Sequence, residues 1–197
     1  MKPQAFGRAL LLCALSLAGP ARGDTLAKGL ALATAGIVAV GEVMDVAPSH
    51  EDAGALMLEG GRFDVLKDAS HRTASNQLGI EYRSGSHLVW KLKPLLGAAA
   101  TTTSSVYAYG GLRLDTYWGP RIVVAPSFSL TAYERGNGKD LGSPPLLGRF
   151  GIDVQYVVNE RVRLGVGLHH MSNGQVLGQD HNPGTGVAGV TLAVALP

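Results

Sequence analysis

One pattern limits what this chain can become: apolar residues recur at every second position in segment after segment. Between residues 161 and 172 the even positions read Val162, Leu164, Val166 and Leu168, and the odd ones Arg161, Arg163, Gly165 and Gly167. Ile122, Val124, Phe128 and Leu130 alternate likewise with Ser127, Ser129 and Thr131, and Phe150, Ile152, Val154 and Tyr156 with Arg149, Asp153 and Gln155. Shorter runs repeat the split. Leu78, Ile80 and Tyr82 alternate with Glu81 and Arg83, Leu88, Trp90 and Leu92 with Lys91 and Lys93, and Leu112 and Leu114 with Arg113 and Asp115. Strand side chains point to opposite faces in turn, so each segment has one apolar face and one charged or small face.

Turn signals part these segments. Ser84-Gly85-Ser86, Trp118-Gly119-Pro120 and Val158-Asn159-Glu160 are short, whereas 136–145 and 174–184 are long and polar. Strands near residues 32–44 and 187–196 bring the count to eight. Short connections alternating with long ones are the pattern of an outer-membrane barrel, with short periplasmic turns, longer outside loops and a lipid-facing apolar band. The other faces carry both signs of charge, which suits a narrow lumen filled with paired ions. The expected fold is all-β: an eight-stranded antiparallel transmembrane β-barrel. A soluble periplasmic binding barrel would share the alternation, with its apolar face as the core, but not the loop asymmetry. Residues 47–73 carry the weakest signal; Ala53 to Leu58 fits either an extra strand or part of a long first outside loop.

The amino terminus reads separately. Lys2 and Arg8 precede an apolar run over 9–18, and Ala21-Arg22-Gly23 forms a small-x-small cleavage pattern before Asp24. Residues 1–23 are therefore expected to be a cleaved secretory signal peptide, and 24–197 one outer-membrane domain. Losing Lys2, Arg8 and Arg22 turns the net charge of +2 into −1, which leaves no basic excess for nucleic acid. The only cysteine, Cys13, departs with the signal, and with it any disulfide, thiol nucleophile or cysteine metal site. Glycine, at 27 of 197 residues, is about twice its usual roughly 7% share, and charged residues are only 16%. The longest mature apolar run, 29–41, falls short of the roughly 18 residues a membrane helix needs, so a helical membrane protein is excluded.

The even face of 162–168 continues into His170 and Ser172. In a barrel this pair faces lipid where the strand meets a long outside loop, with backbones about 6.6 Å apart. Polar groups there are costly in hydrocarbon and call for a reason. A histidine beside a serine is the minimum for an activated oxygen nucleophile, because the hydroxyl is weak until a base takes its proton. His169 points the other way, into the lumen. Read alone, Ser172-Asn173-Gly174 is equally what a strand-ending turn looks like.

His170-Met171-Ser172-Asn173, followed by Asn182-Pro183-Gly184-Thr185 and a final strand, resembles the lipid A 3-O-deacylase family. The resemblance runs from about Asn76 to the C-terminus and includes Lys139-Asp140-Leu141-Gly142-Ser143 and the approach from Arg161 to Leu164. It implies an eight-stranded outer-membrane barrel that removes an ester-linked 3-hydroxyacyl chain from lipid A, with lipopolysaccharide as substrate and no metal or cofactor. It further implies Ser172 as nucleophile, His170 as general base and then acid, and Asn173 as an oxyanion-hole donor.

One position departs from the family pattern. A glutamate two residues after the glycine of Asn-Pro-Gly orients the histidine, and this chain has Gly186 there. Asp180 is the nearest replacement, followed by Asp140; without one the chain would be a non-catalytic barrel of the same family. A metal site built from His170, Asp180 and His181 has no ligand-spacing signature. Trp90, Tyr82, Tyr117, Trp118 and Tyr156 read as girdle anchors. Lys91, Lys93, Arg161 and Arg163 read as lumen ion-pair partners; Arg135 and Lys139 are better candidates for lipid A phosphates, with an ordinary solvated loop the leading account of each. A homodimer is compatible with an outward site, although no residue pattern calls for one.

Overall fold

A computed structural model describes residue 29 and residues 32–37, 53–65, 74–142, 146–173 and 183–197. The signal-peptide segment lies outside the described residues. The strands are β1 (Ala55–Phe63), β2 (Ser75–Arg83), β3 (Leu92–Thr101), β4 (Val106–Leu114), β5 (Thr116–Tyr117), β6 (Ile122–Glu134), β7 (Leu146–Val157), β8 (Val162–Ser172) and β9 (Thr185–Ala195). All pairings are antiparallel neighbour pairings, β9 returns to β1, and β4 pairs with β6. The two-residue β5 continues β4 past Asp115 along the same β6 edge, so the described strands close an eight-stranded antiparallel barrel. Closure leaves no open edge, which is what a sheet in hydrocarbon requires.

The first stave is not where the alternation placed it. Residues 32–37, inside the expected strand over 32–44, are helical, and 38–44 lie outside the described residues. The stave that joins β2 to β9 is β1, in the stretch that carried the weakest signal. Gly60, Gly61 and Arg62 interrupt the apolar rhythm of β1 and hide it in the sequence. Leu88 to Leu92 is likewise a turn rather than a strand. Val89 bridges Leu92, and Trp90 takes a φ of 53°, a left-handed conformation that no strand residue adopts. β3 begins only at Leu92 and runs through Gly97-Ala98-Ala99-Ala100, whose small side chains offer little apolar contrast to read.

Register puts the even-numbered residues of the eight staves outside and the odd-numbered ones inside. Leu78, Leu96, Leu130, Leu164, Val166 and Val190 are exposed on the outer wall, as a lipid-facing band requires. Tyr82, Trp118 and Tyr156 are exposed too, whereas Tyr117, expected beside them, is only 2% exposed and faces inward.

The lumen is filled by ions and aromatics. Arg83 bonds Glu81 and Asp153, each at 2.6 Å, and Tyr109 donates to Glu81 at 2.9 Å. Gln77 donates to Glu59 and accepts from Tyr107, while the Arg149 guanidinium lies 4.1 Å from the Tyr109 ring centre. Lower down, Asp115 is shared by Lys93 and Arg113. Glu59, on the unforeseen β1, is thus a central member of this network. Large inward side chains sit against glycines of the next strand. A Cβ at Gly151 would strike the His169 ring, and one at Gly97 would strike Tyr109.

At the outside end the contents change to Phe63, Tyr107, Leu147, Met171 and Val187, with Leu141 tucked in from the loop after β6. Lys139 of the same loop bonds the buried carboxylate of Asp64 at 2.6 Å, and Thr185 donates to it as well. Lys139, expected to be available to phosphate, instead fastens this loop over the barrel mouth.

Candidate active site

The site is built on the last two residue pairs of β8. Alternation carries its even face from Leu164 and Val166, 50% and 56% exposed, up to His170 and Ser172. These two lie on the same outer wall yet are only 4% and 9% exposed. The side expected from parity is therefore right, and both side chains are shielded, a degree of cover that alternation does not reveal. Asn173 follows directly and is also buried.

The neighbours across the strand are small or aromatic. Phe150 of β7 and Gly186 of β9 lie directly opposite His170, and Gly148 lies opposite Ser172. Cross-strand partners on one face have Cβ atoms about 4.5–5.5 Å apart. A carboxylate side chain at 186 would therefore stand beside the His170 ring, at the position where the sequence pattern leaves an acid out. Asp180 and His181 lie outside the described residues. Asp140, the second candidate acid, is occupied elsewhere: it accepts from Arg135 at 3.1 Å and from the Gly142 backbone N–H at 2.9 Å.

The adjacent histidine has another environment. His169 is fully buried in the lumen, its Nε2 3.5 Å from Asp153 and 3.8 Å from Glu59. It lies opposite Gly151 of β7 and Val187 of β9, on the other side of the barrel wall from His170. Consecutive residues of one strand cannot place both rings on one ligand.

Among the described residues the geometry offers an imidazole and a hydroxyl two residues apart on the outer wall, with glycines opposite each, and Asn173 next in the chain just past the strand. A closed outer-membrane-type barrel bearing this group on its lipid face narrows the choice of family. A sequence description of lipid A 3-O-deacylase (PagL) matches residues 62–195. The chain belongs to the PagL family. The crystal structure of the outer membrane enzyme PagL superposes with a TM-score of 0.51 at 14% identity, covering 72% of this chain and 99% of that one. The N-terminal β-barrel domain of Pseudomonas aeruginosa OprF gives 0.51 at 11% identity, covering 74% and 98%. At such identities these likenesses establish the barrel fold. No curated protein matches the sequence. Family membership and the barrel fold place the chain in the lipid A deacylase family and in the outer membrane.

Two further outward polar residues escaped the sequence reading. Arg62 and Asn76, on β1 and β2, are both exposed, and Arg62 Nη1 donates to Asn76 Oδ1 at 2.7 Å. Their even numbers were the available signal. It was usable for Asn76 from the alternation of Leu78, Ile80 and Tyr82, and unusable for Arg62 without β1.

Proposed function

We propose that this chain is an outer-membrane serine esterase that removes the ester-linked 3-O-hydroxyacyl chain from lipid A. Ser172 Oγ attacks the ester carbonyl carbon while His170 takes its proton. The resulting oxyanion is met by the Asn173 side-chain amide and loop N–H groups, donors worth about 2.7–4 kcal/mol each in such sites. Collapse breaks the ester bond, and the leaving sugar hydroxyl takes the proton from His170. Water, deprotonated in turn by His170, then cleaves the acyl-Ser172 ester, releasing the fatty acid and returning the proton to Ser172. Asp180 is the acid assigned to hold His170 in its working tautomer. Residues 1–23 direct export and are removed.

The observation that carries this reading is the shared outward face of His170 and Ser172 at the outside end of β8, in a chain of this family. Mass spectrometry of lipid A from cells expressing the protein should show loss of one hydroxyacyl mass, absent with Ser172→Ala. No loss from wild type, with the protein confirmed in the outer membrane, defeats it.

One observation favours a second reading. Gly186 stands directly across from His170, so the family's orienting acid is missing from the place where it would act. In that case the protein is a non-catalytic barrel. Gly186→Glu separates the two: a silent wild type that gains deacylation on this change has lost its activity at that position.

A further inference from the structure

On the outer wall, register arranges β8, β9, β1 and β2 into rows. The highest complete row runs Leu168, Ala188, Arg62, Asn76. Above it, toward the outside, stand His170 and Gly186. Below it come Val166, Val190, Gly60 and Leu78, and then Leu164, Leu192, Leu58 and Ile80. Apart from Thr116 and the phenols of Tyr82 and Tyr156, outward polar side chains on the described strands are Arg62, Asn76, Glu134, His170 and Ser172. His170 and Ser172 on β8 and Arg62 on β1 flank the β9 strip whose outward residues are Gly186 and Ala188, and Asn76 stands beside Arg62 on β2.

We propose that Arg62 and Asn76 form the subsite that holds a phosphate of the glycolipid headgroup, while an acyl chain of the same molecule lies in the groove below them. This deepens the deacylase reading and rests on it. Strands are about 4.8 Å apart and residues rise about 3.3 Å, so the Arg62 backbone is roughly 12 Å from that of His170. An arginine side chain reaching out from β1 and a sugar headgroup over Gly186 and Ala188 span that interval. The small β9 residues let the headgroup lie close to the wall.

The groove below has the matching chemistry. It has a volume of about 420 Å³ and is walled by Leu58, Leu78, Leu164, Val190 and Leu192, with Gly60 among its lining residues. A larger outer groove of about 810 Å³ lies over β2, β3, β4 and β6, floored by alanines. It adjoins the first groove, sharing Leu58 and Leu78 with it, but its charged member is Glu134, which repels a phosphate. Charge complementarity therefore selects the groove beneath Arg62. Arginine suits the task because its guanidinium forks onto phosphate oxygens while Asn76 steadies it from the side. Asn76 is itself fixed, since its backbone N–H and C=O both bond Thr102.

The full-length protein in nanodiscs provides the test. Deacylation and binding are followed with phosphorylated lipid A, with dephosphorylated lipid A, and with phosphatidylglycerol or inorganic phosphate as competitor. Arg62→Gln is expected to raise KM for phosphorylated lipid A about tenfold with kcat nearly unchanged, and to leave dephosphorylated lipid A unaffected. Arg62→Lys should recover part of the loss, and heat-shifted gel migration confirms that each barrel is folded. Binding is repeated in a Ser172→Ala background, so that an inactive enzyme still reports the subsite. Phosphate-dependent binding that Arg62→Gln weakens, without turnover, keeps the subsite and sinks the deacylase reading. Equal binding of both lipid A forms, an Arg62→Gln variant that binds like wild type, or full competition by phosphatidylglycerol or inorganic phosphate overturns the subsite.

Discussion

His169 and His170 are chain neighbours in opposite surroundings. The first is sealed in the lumen between Asp153 and Glu59, against a β7 glycine that leaves room for its ring. The second stands on the outer wall, two residues from Ser172 and across from Gly186. One imidazole is part of the lumen packing, and the other is the base of the proposed reaction. What separates them is one step of strand parity. If the proposed reaction holds, the barrel wall keeps its ion network on one face and its chemistry on the other, and the two should fail independently.

The comparison breaks most sharply at Ser172. Ser172→Ala should reduce deacylation by at least about 10³-fold, read by lipid A mass spectrometry, with unchanged heat-shifted migration. A barrel that no longer folds would show that the outer pair is structural after all. The next largest effect is a gain. Gly186→Glu should raise turnover by up to about 10⁴-fold if no other carboxylate serves His170, and by little if Asp180 already does.

Changes to the inner face should do the reverse. Arg83→Met leaves Glu81 and Asp153 buried without their shared cation and should cost about 3–5 kcal/mol, measured by denaturant titration in lipid. Turnover per folded molecule should hold. Gly151→Ala pushes a methyl group into the His169 ring, and about 1–3 kcal/mol is expected from such overpacking. The smallest effect sharpens the comparison at the barrel mouth. Lys139→Ala should loosen the loop of residues 135–142 by about 1–3 kcal/mol, seen as faster amide exchange at Leu141. Unaltered exchange there would mean that the Asp64 contact does not hold the loop.

How much of this was legible followed from contrast in side-chain size. β6 through β9 announce themselves because leucine, valine and phenylalanine alternate with serine, arginine and glycine, and this alone fixes the side on which His170 and Ser172 stand. β1 is obscured by Gly60-Gly61-Arg62, so Glu59 and Arg62 could not be assigned a face. β3 is muted because alanine outside and glycine inside scarcely differ in hydropathy. The run from Leu88 to Leu92 alternates yet turns, since Trp90 adopts a left-handed backbone that no periodicity encodes. Lys139 was misjudged for a related reason: its partner Asp64 is 75 residues away, and only closure of the barrel brings them together.

The packed interior has a consequence for how the outer wall meets its ligands. With Phe63, Tyr107, Leu141 and the ion network occupying the lumen, the described barrel offers no aqueous path between the two sides of the membrane. Anything that reaches His170 and Ser172 from the leaflet arrives by sliding sideways along it. Encounter rates there depend on the mole fraction of the lipid in that leaflet and on its lateral fluidity, so diluting the surrounding medium leaves them unchanged and stiffening the membrane slows them.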